Sequence, residues 1–313
     1  MMNADCKGCF DDAIDSCRDH DPLKTAVVHP VRACDIEVAF EASEKGLISP
    51  ILVGPSARIH AAADEAKVDI SKFDVVDCEH SHEAASISAK MAGSAEVSAL
   101  MKGGLHSDEI LHAVITTRSL LTERRISHAY VMDIPTYHKP LVITDAAVNI
   151  SPDLDAKADI CQNAIYLWQA LFGLEKLPKV AFLAAVETVN AKMQATIDAA
   201  CLCKMADRGQ ILGGLLDGPL AFDNAISKEA ALAKGIVSEV AGDPDIIIPP
   251  NLESCNILAK QLTFLGQARA AGIILGARVP VILTSRADSI ETRLMSCALA
   301  VKVAVARASG AIR

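Results

Sequence analysis

Short apolar runs alternate with longer amphipathic stretches along almost the whole chain. Runs at residues 26–28, 51–53, 97–101, 128–132, 141–144, 180–183, 246–248, 272–275 and 281–284 read as buried strands. Helical periodicity covers residues 35–45, 56–66, 82–92, 107–115, 155–171, 187–206, 223–234, 252–265 and 289–307. Regular strand–helix alternation predicts an α/β fold with mostly parallel sheets covered on both faces, joined by right-handed crossovers. The segment Asp133-Ile-Pro-Thr-Tyr-His-Lys-Pro140 holds two prolines and no periodicity, so it reads as a seam between domains. Gly276-Ala-Arg-Val-Pro280 is a second candidate seam.

Composition sharpens this picture. With 51% hydrophobic residues but only 4% aromatics, Ala, Val, Ile and Leu must fill the core, as in parallel sheets buried on both faces. The 313 residues suffice for two domains. A net charge of −9 excludes a general nucleic-acid binder but not an anionic small ligand met by a local basic cluster. No apolar run approaches a membrane span, and the N-terminus lacks a basic-then-apolar signal pattern. The expected setting is therefore cytoplasmic, with no membrane and no nucleic-acid partner. Most of the ten cysteines lie in apolar segments and read as small buried hydrophobes. Cys6, Cys9, Cys17 and His20 form two short pairs that admit a zinc site or nothing at all.

Candidate chemistry sits where strands end. Pro280-Val-Ile-Leu-Thr-Ser-Arg-Ala-Asp288 delivers Ser285 and Arg286 to the end of a strand, a hydroxyl and a guanidinium fork suited to an oxyanion or phosphate. Met101-Lys-Gly-Gly-Leu-His-Ser107 runs a strand through two glycines into a helix start. Either its backbone N–H groups cradle an anion beside Lys102 and His106, or the glycines serve only the turn. Of Arg118, Arg124 and Arg125, the last lies nearest the strand that follows, beside Ser127, and is the preferred ligand contact. Asp145 and Asn149 close another strand and either bind substrate or cap a turn; Asp217-Gly-Pro, read as a fixed loop, and Asp223 carry the same ambiguity. No GxGxxG or GxSxG pattern is present.

These segments together resemble the phosphate acetyltransferase/phosphate butyryltransferase family over nearly the whole chain. The likeness rests on His29-Pro30, Pro50-Ile-Leu-Val-Gly-Pro55, Met101-Lys-Gly-Gly-Leu-His-Ser107, Arg125-Ile-Ser127, Thr144-Asp-Ala-Ala-Val-Asn149, the segment from Asp217 to Ser227, Pro250-Asn-Leu-Glu253 with Asn256, and the Ser285-Arg286 stretch. The chain looks most like the acyltransferase half of bifunctional enoyl-CoA hydratase/phosphate acetyltransferases. The resemblance implies exchange between acyl-CoA plus phosphate and acyl phosphate plus CoA, acetyl preferred and butyryl open. It implies two three-layer αβα domains with an interdomain cleft, similar to the isocitrate/isopropylmalate dehydrogenase architecture. The expected division is 1–139 with 283–313, and 140–282. A homodimer, CoA as substrate rather than cofactor, and no metal are implied as well.

Under that resemblance Ser285 and Arg286 stabilise the transition state and Arg125 holds the phosphoryl group. Lys102, His106, Ser127, Asp145, Asn149 and Asp223 bind substrate. The family's acetyltransferases carry an Asp seven positions beyond the Ser, but here that position is Thr292. Asp288 and Glu291 are the neighbouring acids able to serve as base. Two other readings stand beside this one. One is a metal-dependent decarboxylating dehydrogenase of the same architecture. The other is an acyl-CoA sensor without turnover, suggested by Cys255, which could crowd a ligand between Glu253 and Asn256.

Overall fold

The computed structural model describes residues 9–17, 19–284 and 288–312. The chain opens with α1 (Cys9–Asp15), β1 (Leu23–Val28), α2 (Ala33–Glu44), β2 (Ile48–Gly54) and α3 (Ser56–Ala66). It continues through β3 (Asp74–Asp77), α4 (Ser81–Gly93), β4 (Ala99–Lys102) and α5 (Ser107–Thr116). Next come β5 (Ser127–Asp133), β6 (Leu141–Thr144), α6 (Leu154–Phe172), β7 (Lys179–Leu183), α7 (Gln194–Asp207) and β8 (Leu215–Leu220). The remainder is α8 (Phe222–Ile226), α9 (Lys228–Ala233), β9 (Ile246–Ile248), α10 (Leu252–Phe264), β10 (Arg269–Leu275), β11 (Val281–Ile282) and α11 (Ile290–Ala308).

Two compact units result. The first comprises Phe10–Arg124 and Ala271–Gly310; the second is chiefly Arg125–Ala270. In the first unit the strand order is β3-β2-β1-β4-β11-β10. The β1–β2, β2–β3, β1–β4 and β4–β11 pairs are parallel, and β10–β11 is antiparallel. The chain steps outward from β1 to β3, then returns to the other side of β1 as β4. Right-handed crossovers therefore put α2 and α3 on one face and α4 on the other. The packing agrees: α2 touches α3 and α11, and α4 touches α5. In the second unit the order is β5-β6-β9-β7-β8, all parallel except the β5–β6 pair. The segment expected as a seam, Asp133 to Pro140, connects that antiparallel pair.

The apolar periodicity locates every strand it predicted. Two further strands are edge strands, where one face or one backbone row is spared burial. Asp74–Asp77 carries only two apolar residues, and among the described residues it pairs with β2 alone. Leu215–Leu220 contains the Asp217-Gly-Pro that reads as a loop. Its proline is tolerated because among the described residues β8 is an end strand paired with β7 alone.

Helix ends follow their caps. The Asp153 carboxylate accepts from the Ala156 N–H at 2.9 Å, and Asn251 Oδ1 accepts from the Ser254 N–H at 2.9 Å. Capping also corrects two predicted helices. Ser227 accepts from the Ala230 N–H at 3.2 Å, which starts α9 and splits the stretch 223–234 in two. The stretch 187–206 becomes helical only at Gln194, because Thr196 Oγ1 donates to the Met193 carbonyl and accepts the Asn190 N–H, fixing a preceding loop.

Trp168 on α6 is 1% exposed and its ring lies 4.2 Å from that of Phe172. Truncating so large a buried side chain leaves a void in the core. Trp168→Ala should cost about 3–5 kcal/mol, read as a lowered midpoint in urea denaturation of the second unit's signal.

Candidate functional site

In α/β sheets, ligands bind outside the carboxyl ends of strands. At this edge of the first unit, Lys102 ends β4 opposite Val28, the last residue of β1. Its side chain lies within a residue that is only 8% exposed. The glycines after it are not free to cradle an anion. Gly103 N–H donates to the Val28 carbonyl at 2.9 Å, and Gly104 N–H to the His29 carbonyl at 2.8 Å. A β-carbon on Gly103 would stand 2.6 Å from the Val28 oxygen. The glycine pair is therefore required for close approach of two backbones, which corrects the anion-cradle alternative. His106 is exposed just ahead of α5, and its N–H meets Glu109 Oε1 at 3.5 Å.

Behind this edge lies an ion network that sequence reasoning missed. Arg32 grips Asp35 with both arms of its fork, at 2.8 and 2.5 Å, and reaches the Gly103 carbonyl at 3.2 Å. Arg293 of α11 lies 3.6 Å from the same carboxylate, and both groups are buried. No periodicity in the sequence pairs residues so far apart. β11 lies beside β4, with Ile282 opposite Met101, so Leu283 and Thr284 leave the sheet at the Lys102 edge. Ser285 and Arg286 lie outside the described residues. Beyond them Ser289 Oγ caps α11 through the Thr292 N–H at 3.2 Å, with Asp288 just before the helix and Glu291 exposed in its first turn.

The second unit has its own cluster. Asp145 follows β6 and is 4% exposed. Its carboxylate accepts the N–H groups of Ala147, Val148 and Asn149, each at 3.0 Å, and Asn149 Nδ2 at 2.6 Å. Those four bonds fill a carboxylate's usual acceptor sites, so of the two readings left open for Asp145, the turn cap is the one made in this structure. Asn149 Nδ2 also donates to the Ile126 carbonyl at 2.9 Å. Because β5 runs antiparallel to β6, its start lies at the same edge, bringing Arg125 and Ser127 alongside. Asn163 of α6 donates to the Arg125 carbonyl and to Ser127 Oγ, each at 2.9 Å. Ser127 is thus buried and internally engaged, while Arg125 is exposed. Asp223 stands apart from this group, past the far edge strand β8, paired with Lys234 at 3.1 Å.

Residues 83–301 match the family described as Phosphate acetyl/butaryl transferase. The chain is 54% identical to a phosphate acetyltransferase of Rhizobium meliloti over 95% of its own length and 94% of that protein's. The chain belongs to this family. It is also 39% identical to a phosphate butyryltransferase of Clostridium beijerinckii, over 94% of this chain and 97% of that one. A branched-chain phosphotransacylase structure from Enterococcus faecalis V583 aligns with a TM-score of 0.76 at 26% identity, over 90% of this chain and 99% of that one. A phosphotransacetylase structure from Streptococcus pyogenes shares the fold, with a TM-score of 0.80 at 19% identity over 94% and 98% of the two chains. These likenesses agree with the α/β fold class expected from the alternating pattern.

Within this family member the remaining candidates resolve as follows. Cys255 is fully buried on the core side of α10, beside Ala146 and Ile247, and burial raises its thiol pKa well above the usual value. It packs the core rather than crowding a ligand. The Cys17 thiol is buried and faces the Ala13 and Ala298 carbonyls at 3.3 and 3.7 Å, and Cys6 and the Cys9 side chain lie outside the described residues. Among the described residues no His, Cys, Asp and Glu cluster suits a metal ion, and no helix is long and apolar enough to cross a membrane.

His128, under the Asp145 turn, is buried with its Nδ1 unpartnered. Burial lowers its pKa to about 4, against an opposing pull from Asp145. Between the unfolded value near 6.5 and the folded value near 4, the unfolded chain binds a proton that the folded chain refuses. Stability is therefore complete above pH 6.5 and falls as pH drops toward 4, by at most on the order of 2–3 kcal/mol from this group. Thermal melts of the wild type and His128→Asn at pH 7 and pH 5 check this: the variant should lose less stability between the two pH values.

Proposed function

We propose that the protein interconverts acyl-CoA and phosphate with acyl phosphate and CoA, with acetyl as the preferred acyl group and butyryl accepted. The observation that carries this is the 54% identity to a phosphate acetyltransferase across nearly the whole of both chains. CoA is a substrate rather than a cofactor, and the chemistry uses no metal. In this reading the protein works in the cytoplasm as a homodimer. Fold likeness also extends to a 4-hydroxythreonine-4-phosphate dehydrogenase from Klebsiella pneumoniae, but at 12% identity it speaks for fold alone and lends the dehydrogenase reading no weight.

The proposed step is direct attack in a ternary complex. The CoA sulfur adds to the acyl-phosphate carbonyl, forming the C–S bond and a tetrahedral oxyanion. Collapse re-forms the carbonyl, breaks the bond between the acyl carbon and the bridging phosphate oxygen and releases phosphate, and the thiol proton passes to a base. Ser285 and Arg286 are assigned to the developing negative charge, where a hydroxyl and a fixed guanidinium act most strongly. Arg125, exposed at the second unit's strand edge, is assigned to the phosphoryl group as a positioning contact. Lys102 supplies positive charge at the first unit's strand edge, with His106 nearby. Asn149 and Ser127 hold the backbone that carries Arg125, through the bonds to Ile126 and Asn163. Asp288 and Glu291, either side of the α11 start, are the candidate bases.

Acetyl phosphate plus CoA should give rising thioester absorbance, with turnover on the order of the common enzyme range of 1–10³ per second. Butyryl phosphate run in parallel sets the chain-length ratio. Arg286→Ala should lower kcat at least about 100-fold while circular dichroism stays unchanged. Near-normal turnover in that variant removes Arg286 from the assigned role.

A further inference from the structure

The second unit carries an exposed apolar surface. Among the described residues, six large hydrophobic side chains are 68% or more exposed: Ile150, Leu232, Val237, Ile257, Phe264 and Leu265. All six belong to the second unit. Single exposed Leu or Ile residues are ordinary, but a concentration of them on one part of a fold marks a contact surface. α9 and α10 cover one core cluster, through Ala231 of the first and Cys255 of the second. Ile150 stands at the amino end of α10, its carbonyl accepting the Leu252 N–H at 3.1 Å. Phe264 and Leu265 stand at the other end of that helix.

The register of α10 orders this surface. Cys255, Ala259 and Leu262 turn inward onto the core. Positions 253, 257, 260 and 264, spaced by four, three and four, fall on the opposite stripe of the helix. They hold Glu253, Ile257, Lys260 and Phe264, all exposed. Charged and apolar residues therefore alternate along one row, with one charge of each sign. Glu253 and Lys260 stand about two turns apart, roughly 10 Å along the axis, which is too far for them to pair with each other.

We infer that this face of α10 docks a second copy of the chain, α10 against α10, antiparallel about a two-fold axis beside Ile257. A two-fold contact is isologous, so the same stripe must complement itself. With Ile257 against its copy, Glu253 faces Lys260 of the second copy on one side of the axis. On the other side Lys260 faces that copy's Glu253. Phe264 then overlies the amino end of the second α10, where Ile150 is exposed. The row is thus self-complementary in apolar contact and in charge. A parallel pair would set Glu against Glu and Lys against Lys. A lipid surface fits less well, because helices seated on membranes carry Lys and Arg on their polar face, and this chain has a net charge of −9. A stable dimer buries upward of about 1,000 Å². Leu232 and Val237, next to Ala231 and Ile236 of the same core, add apolar area beyond the α10 row. The helix offered to the second copy also braces the candidate site: Asn256 Nδ2 donates to the Ala146 carbonyl at 3.0 Å, within the Asp145 turn. The inference gives the homodimer of the proposed function its surface and does not depend on the acyl-transfer chemistry.

Sedimentation of the full chain tests this. Wild type at micromolar concentration should sediment as a dimer rather than as the 33.0 kDa chain. Ile257→Asp sets a charge beside its own copy at the axis and should leave the protein monomeric at that concentration. Its circular dichroism should stay unchanged, because the residue is exposed and outside the core. Glu253→Lys and Lys260→Glu each turn two attractive contacts into repulsive ones and should weaken association about 10-fold or more. The double variant Glu253→Lys/Lys260→Glu restores both contacts and should recover most of the wild-type affinity. That recovery requires the two positions to meet across the axis, since they cannot meet within one helix. A monomeric wild type overturns the inference and gives the face to a different partner. A dimer indifferent to all four variants, or a double variant weaker than either single one, overturns it as well. If Ile257→Asp does not fold, the charge swap decides alone. The acetyl phosphate assay keeps the two readings apart. A monomer that turns over leaves the transacylase reading intact, and a charge-swap dimer that is silent removes that reading but not the surface.

Discussion

The close approach of β4 to β1 governs the first unit. Two backbone bonds, from Gly103 to Val28 and from Gly104 to His29, draw the strand ends together at the sheet's switch point. Any side chain at Gly103 would collide with a carbonyl. Everything functional on that edge inherits its place from this contact. Lys102 is fixed at the strand end, and α5 starts where it does. Arg32 binds the same crossing from outside through the Gly103 carbonyl, and its partner Asp35 extends the tie to Arg293 on α11. A single buried carboxylate thus couples the β1–β4 edge to the helix that follows Ser285 and Arg286.

The second unit reaches a similar end by different means. There the organising group is a carboxylate rather than a pair of glycines. Asp145 collects four donors from its own turn, and Asn149 passes the constraint on to Ile126. The exposed Arg125 stands on backbone that Asp159, Asn163 and Asn149 all hold. A long, flexible guanidinium loses less freedom on meeting a ligand when its base is already rigid. The residues of the turn and those of the arginine's footing therefore form one mechanical piece.

Much of this was legible in the chain because period and turn chemistry are local. Apolar runs marked the interior strands, and Gly-Gly, Asp145 and Ser289 announced turns or helix starts. Edge strands were harder: Asp74–Asp77 needs apolar residues on little of its surface, and Leu215–Leu220 hides a proline that only an edge permits. Ser227 split a helix because a good cap outweighs mid-helix periodicity. At the candidate site, residues announced by a motif were found, but what they do was not. Glycine N–H groups read as an anion cradle are spent on carbonyls, and Ser127 faces Asn163. Arg32, Asp35 and Arg293 escaped notice because their partnership spans more than 250 residues and has no sequence period.

The first unit is discontinuous in the chain, and this bears on how it is made. During synthesis β1 to β4 and their helices emerge early, but β10, β11 and α11 come last. The main part of the second unit, Arg125–Ala270, lies between them and can complete its core first. Until residues 281–282 leave the ribosome, β4 has β1 on one side and no strand on the other. An unpaired strand edge invites pairing with a foreign strand. The crevice that carries Lys102 is thus open for most of translation, and the closing strand arrives joined to the Ser285-Arg286 segment itself.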